Sequence, residues 1–433
     1  MLEKAIYLFK KPWLDRILGK VAPIIQKFTN FQVRVKCNNE KFLQLYETRK
    51  RRCLDAIFLQ KEPDRVPVIA NGLNFFPAKY AGFSCEDYMF DFKKNRIANL
   101  KVVEEFDLDM YFIPGIFGAG RFFEFSQFDL VKLPGRHISA DVCHQINEKD
   151  RLKPEEYDEF IERGIDFLID TLSPRLVPGI FKRKGIARIV SETRLILEAF
   201  KLAKFAMDLQ VEMSSLGAYT IFGSVGFPPY DIMSFTFRTL ESLSKDLMKR
   251  ERRQKIIEIC ERMNPWLISV WNKLPKITGS PGVWFPSERA FSLSPRQFEK
   301  YYWPTLKDMI VAMVKQGMIP FLTWESDVTH LVKFLLELPR KISRRCVFNC
   351  DTSDIFQVNK ILDGHMAIAG NIPLSIMCVG SKSDVDKYCE NLFAELKPGG
   401  GFLLSPALGI PDEAKPENVY AMIDFCHKFG KYS

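Results

Sequence analysis

Between residues 280 and 429 the chain runs five times through the same alternation, a short apolar run followed by a helical segment. The runs are GVWF, MIPFLTW, RCVFNC, HMAIAG and GFLLS, and the helical segments cover 295–316, 328–338, 353–362, 382–396 and 415–429. Short, nearly continuous apolar strands are what a parallel sheet buried on both faces requires, and helices supply its crossovers. Upstream, RVPVIA at 65–70 and DLDMYFIPG at 107–115 read as two more strands, with helices expected at 41–61 and 86–106. Five consecutive units with two or three before them predict an α/β protein, a (β/α)8 TIM barrel rather than a doubly wound sheet. Loops that follow barrel strands build the working face, so strand ends are where chemistry is sought.

The stretch KPGGGFLLSPALGIPDEAKPENVYAMID at 397–424 shows one unit in miniature. Gly399, Gly400 and Gly401 end a helix, Phe402 to Leu404 form a strand, and Pro416 with Glu417 suits the first turn of the next helix. The middle of the chain is less legible. Residues 154–172 and 191–212 pattern as helices, and 116–150 mix Phe and Gly without a clear period. Gly118 and Gly120 in FGAGRFF do not make a dinucleotide loop, because the sixth position is Phe123 and no clear helix follows. GFPPYD at 226–231 reads as a rigid loop at a pocket rim.

Charge singles out the amino-terminal end. Of the net +9, residues 1–62 supply fourteen Lys or Arg against six Asp or Glu. Ile6, Phe9, Trp13, Ile17 and Val21 fit one helix face and Lys4, Lys10, Lys11 and Lys20 the other. Residues 1–45 are therefore expected to be a basic amphipathic helical extension and 46–433 one barrel domain. The plain reading is an extra packed helix; the functional one is contact with an anionic membrane or an acidic partner through residues 1–40. RKRR at 49–52 lies in no nucleic-acid-binding module, so no nucleic-acid partner is expected. The start is a poor signal peptide, no apolar run spans a bilayer, and ten scattered cysteines without a CxxC pair suit a reducing compartment. The expectation is a cytoplasmic protein.

RRCLDAIFLQKEPDRVPV, FPAKYAG, EEFDLD, SPRQFEKYYWPTLK, HMAIAGNIP and the closing KPGGGFLLSPALGIPDEAKPENVYAMID occur in that order. In them the chain resembles the uroporphyrinogen decarboxylase superfamily, whose barrel also includes cobalamin-linked methyltransferases, over roughly residues 45–432. Decarboxylases of the family carry an arginine-rich element after the first strand, since substrate carboxylates need guanidinium partners. Here the stretch is ANGLNFFPAKY, with Asn71 and Asn74 and no arginine. The family's zinc methyltransferases place His-x-Cys after a barrel strand; here the strand reads IPFLTWESDVTH. Because some members use Glu and His instead, the resemblance implies a zinc site of Glu325, His330 and Cys350. Against it, His330 opens a helix and Cys350 reads as a buried thiol.

The catalytic candidates are Glu325, Asp351 and Asn371, all at strand ends. Asn371 both donates and accepts, which suits a ligand, although it also suits a cap. Asn71, Asp109, Arg238, Ser287, Glu288 and Ser405 are the substrate-binding candidates. Arg238 is equally a surface cation, and Glu288 equally a solvated loop charge. By resemblance, the expected function is methyl transfer between a small donor or acceptor and a corrinoid carried by a partner protein, with zinc or no tightly bound cofactor. Decarboxylation of uroporphyrinogen or another carboxylated substrate, and non-catalytic binding, are the rivals.

Overall fold

The computed structural model describes residues 39–70, 72–111, 116–273 and 280–432. The amphipathic stretch 4–21 and Asn71 lie outside the described residues. The boundary expected at 45/46 falls inside one continuous helix, Glu40–Phe58. Asn39 caps that helix by accepting from the Lys41 amide at 3.1 Å, and its last turns bury Cys53, Ala56 and Ile57.

Two short strands, β1 (Val131–Lys132) and β2 (Gln145–Ile146), pair antiparallel. Six more make a parallel sheet in chain order: β3 (Phe222–Val225), β4 (Gly282–Ser287), β5 (Ile319–Trp324), β6 (Val347–Cys350), β7 (Ala367–Ile372) and β8 (Phe402–Pro406). Parallel bridges extend the pairing beyond the sheet. Val68 meets Leu404 of β8, Ile69 meets Met110, and Tyr111 meets Thr220 just before β3. The amide of Ile69 donates to Leu404 O, that of Ala70 to Met110 O, and that of Tyr111 to Tyr219 O. The segments 65–70 and 107–111 thus contribute single bridges rather than full strands.

Strand periodicity splits the core into two layers. Ile319, Phe321, Val347, Ala367, Ala369 and Leu403 pack together with Ile69, Met110 and the helix residues Cys53, Ala56 and Ile57. The alternate residues Val283, Phe285, Leu322, Trp324, Phe348, Ile368 and Leu404 pack against surrounding helices that include Trp303–Lys315, Ile355–Leu362, Lys382–Leu396 and Pro416–Phe429. These helices follow the sequence expectation closely, except that Thr329–Glu337 winds as a 3-10 helix and Phe298–Tyr302, within the expected 295–316, as a π-helix.

The middle differs more. Strand β3 forms between Gly217 and Gly226, where no strand boundary was expected, held by β4 on one side. The helix expected over 154–172 breaks at Gly164, whose φ is +55°. The helix expected over 191–212 is longer, Gly185–Ser215.

Candidate functional site

Parallel strands end on one side, and the sheet brings the ends of β4 to β8 together there. Trp284 indole donates to Thr323 Oγ1 at 2.8 Å, and Asn349 Nδ2 reaches the same oxygen at 3.2 Å and Ala407 O at 3.5 Å. These three residues share the layer of Phe321 and Val347, so they form a polar tier under the strand ends. Sequence reading passed over them, because each looks like ordinary strand composition until register sets them side by side: Trp284 opposite Phe321, and Thr323 opposite Asn349.

Above the tier stand carboxyl groups. Glu325 leaves β5 with its amide 3.3 Å from Ser287 O, which ties the ends of β4 and β5. Its carboxyl is pushed up to about 7, first by burial and then by the charges of Glu288 and Asp351, with Arg289 opposing. Burial also raises Glu288, against the pull of Arg289. Asp351 is raised by burial, partly offset by the Ser326 amide, which donates to its Oδ2 at 2.8 Å. Arg289 itself is paired with Glu148.

Asp231, in the GFPPYD loop after β3, belongs with them. It is fully buried, accepts from the Tyr302 hydroxyl, and its Oδ1 has no hydrogen-bond partner. Burial drives its carboxyl well above the usual range, and Glu288 and Glu325 add to the shift while Tyr302 and Arg289 oppose it. Its loop was expected to be a rim. The carboxyl was missed because, without a visible β3, nothing marked Asp231 as following a strand end.

Asn371 holds the site together from behind. Its Nδ2 donates to Asp351 O at 3.1 Å and Ser353 O at 3.2 Å, and its Oδ1 accepts from Tyr388 at 3.0 Å. Gly370 precedes it at φ +136°, and a Cβ there would sit 2.7 Å from Cys350 O, so no other residue fits without displacing backbone. Ser405 is buried and opposite Asn371 in register.

Other candidates are elsewhere. Asp109, a substrate-binding candidate, is instead an ion-pair node, placed where its strand segment begins. Fully buried, it accepts from Arg52 Nη1 at 2.5 Å, Arg65 Nη1 at 2.6 Å and the Val68 amide at 2.8 Å. Arg238 is corrected likewise, since it is buried and donates to Asp246 at 2.9 Å and Leu152 O at 2.9 Å. Ser287 is fully buried and shares the parity of Val283 and Phe285, which face the helices. The zinc set does not assemble. Among the described residues no three His, Cys, Asp or Glu are grouped to hold a metal. His330 is exposed, whereas Cys350 is buried and donates to Ser353 O at 3.3 Å. Burial and Asp351 raise its thiol, which opposes the thiolate a zinc ligand must be.

Residues 220–429 match the sequence model of the uroporphyrinogen decarboxylase family. That span, just under half of the chain, is similar to the uroporphyrinogen decarboxylase family. The matched span begins just before β3 and contains Asp231, Glu288, Glu325, Asp351 and Asn371. A methyltransferase from Methanosarcina mazei has a similar fold, with a TM-score of 0.59 over 88% of this chain and 98% of that one at 14% identity. Among curated proteins none matches the sequence. No helix of the described residues is long and apolar enough to cross a membrane.

Proposed function

We propose that the chain is a barrel enzyme that transfers a methyl group between a small molecule and a corrinoid carried by a partner protein. Strands β3 to β8 with the two bridged segments make eight members, and closing them into a (β/α)8 barrel is the arrangement these bridges support. The observation that carries the functional reading is Glu325, a carboxyl at a strand end poised near neutrality. A group with such an affinity exchanges protons readily at working pH. It hands a proton to the heteroatom of a methyl donor as its bond to carbon breaks, or takes one from an acceptor as the new bond forms. The corrinoid supplies the cobalt that exchanges the methyl group. Burial, then the charges of Glu288 and Asp351, raise the proton affinity of Glu325, and Asn371 positions the loop that bears Asp351. No step uses zinc, because the donor set does not fit one.

Decarboxylation is the second reading, favoured by the same protonated carboxyl, which can quench a carbanion. The charges acting on Glu325 speak against a polycarboxylate substrate: Glu288 and Asp351 repel it and only Arg289 attracts. The experiment gives purified protein methylcobalamin with thiol acceptors, and reduced cobalamin with methyl donors, and follows the cobalt absorbance. Turnover lost in Glu325→Gln supports methyl transfer. No turnover with cobalamin, together with carbon dioxide release from uroporphyrinogen, establishes the other reading.

A further inference from the structure

The helix Gly185–Ser215 has two apolar faces. Ser191, Leu195 and Leu209 are buried against the molecule. Ile186, Ile189, Val190, Leu197 and Phe200 stand in solvent, with Ile186 81% and Phe200 52% exposed. At about 100° per residue these five fall within a stripe about 100° wide, centred on the side opposite Ser191 and Leu195. Single exposed apolar residues need no explanation, but an aligned stripe over four turns does.

Charge decides among occupants. Residues 182–204 carry seven Lys or Arg against two Glu. Lys182, Arg183 and Lys184 are exposed at one end of the stripe, and at the other Lys201 and Lys204, ion-paired with Glu198 and Asp208 of the same helix, keep their side chains 59% and 64% exposed. A second copy on this face would bring two positive surfaces together. An anionic bilayer would accept both the apolar stripe and the flanking cations, as interfacial helices require.

We propose that this helix face docks on an anionic lipid surface with its axis in the membrane plane. Ile186, Ile189, Val190, Leu197 and Phe200 enter the boundary between headgroups and acyl chains, and the lysines at either end meet phosphates. Residues 4–21 carry a second basic and apolar pattern in sequence. Stable interfacial binding commonly takes two such signals.

The test is co-sedimentation of the full chain with vesicles of phosphatidylcholine alone or mixed with phosphatidylglycerol. The double variant Ile186→Glu, Ile189→Glu is compared with wild type. Ile186 lies in the first helical turn, where an acid suits the helix dipole, and both sites are exposed, so the variant folds, as circular dichroism and a thermal melt will verify. Wild type should bind the anionic vesicles, release them as salt rises, and ignore phosphatidylcholine. The variant should lose about tenfold or more of that binding. Equal binding by both proteins overturns the proposal, and so does a wild type that binds neither vesicle. Ultracentrifugation showing a wild-type dimer that the variant dissolves also overturns it, as does stripe-dependent capture by polyglutamate without vesicle binding.

Discussion

Asn371 Nδ2 lies 3.1 Å from the main-chain oxygen of Asp351, so the end of β7 holds the loop that follows β6. The same amide reaches Ser353 O, and Tyr388 on the outer helix donates to its oxygen. One side chain therefore links two strand ends and the helix layer, and sets where the Asp351 carboxyl stands.

Removing that link takes the amide donor from Asp351 O and leaves Ser353 O with the Cys350 thiol. Asn371→Ala should destabilise the fold by about 1–3 kcal/mol. Asn371→Asp should cost more, because a carboxylate would face carbonyl oxygens. Urea denaturation with an unchanged slope is the measurement.

Glu325, the proton carrier of the proposed reaction, makes a prediction of definite sign. Its folded affinity lies near 7, above the ordinary 4.5, so the stability it contributes is full below pH 4.5 and is lost as pH rises through 7. Above neutrality the buried charge costs roughly 1–3 kcal/mol. Glu325→Gln should thus raise stability at pH 8, change it little at pH 5, and abolish turnover at both. Thermal melts at the two pH values check this.

Glu288 tunes the same group through repulsion. Glu288→Gln should move the pH profile of turnover to lower pH by a fraction of a unit to one unit, about 1 kcal/mol of differential interaction at most. A profile that does not move would place the titrating group elsewhere.

Asp109 joins Arg52 and Arg65 in a buried network. Asp109→Ala takes the carboxylate from Arg65 while Arg52 keeps Asp64, and should cost about 3 kcal/mol. The midpoint of denaturation should fall accordingly.

Cys350 and His330 should be silent toward metal. Zinc content measured after dialysis against zinc-containing buffer should be the same in wild type, His330→Ala and Cys350→Ser.

The carboxyl-terminal half was legible in the sequence because its strands and helices are specified locally. GFLLS is apolar whatever surrounds it, and the run Gly399, Gly400 and Gly401, with φ between +73° and +81°, marks a turn that few other residues could make. Asp109 shows the limit of that legibility. Its place near a strand was readable, but whether it began or ended the strand depended on where Val68 and Met110 found partners. Strand β3 and Asp231 were hidden because AYTIFGSV, although β-prone, is interrupted by Gly223 and flanked by glycines, and pairing with β4 fixes where the strand lies.

By itself the sequence determined the alternation of strand and helix, the α/β class, the family likeness, and Glu325 and Asp351 as strand-end acids. Local hydrophobic period and turn chemistry are enough for that. Only the tertiary structure decided which acids share a site, that Asp231 is among them, that Asn371 is a tie, and that Cys350 and His330 stand apart. Those outcomes depend on register and burial between segments far apart in the chain, and no local pattern encodes either.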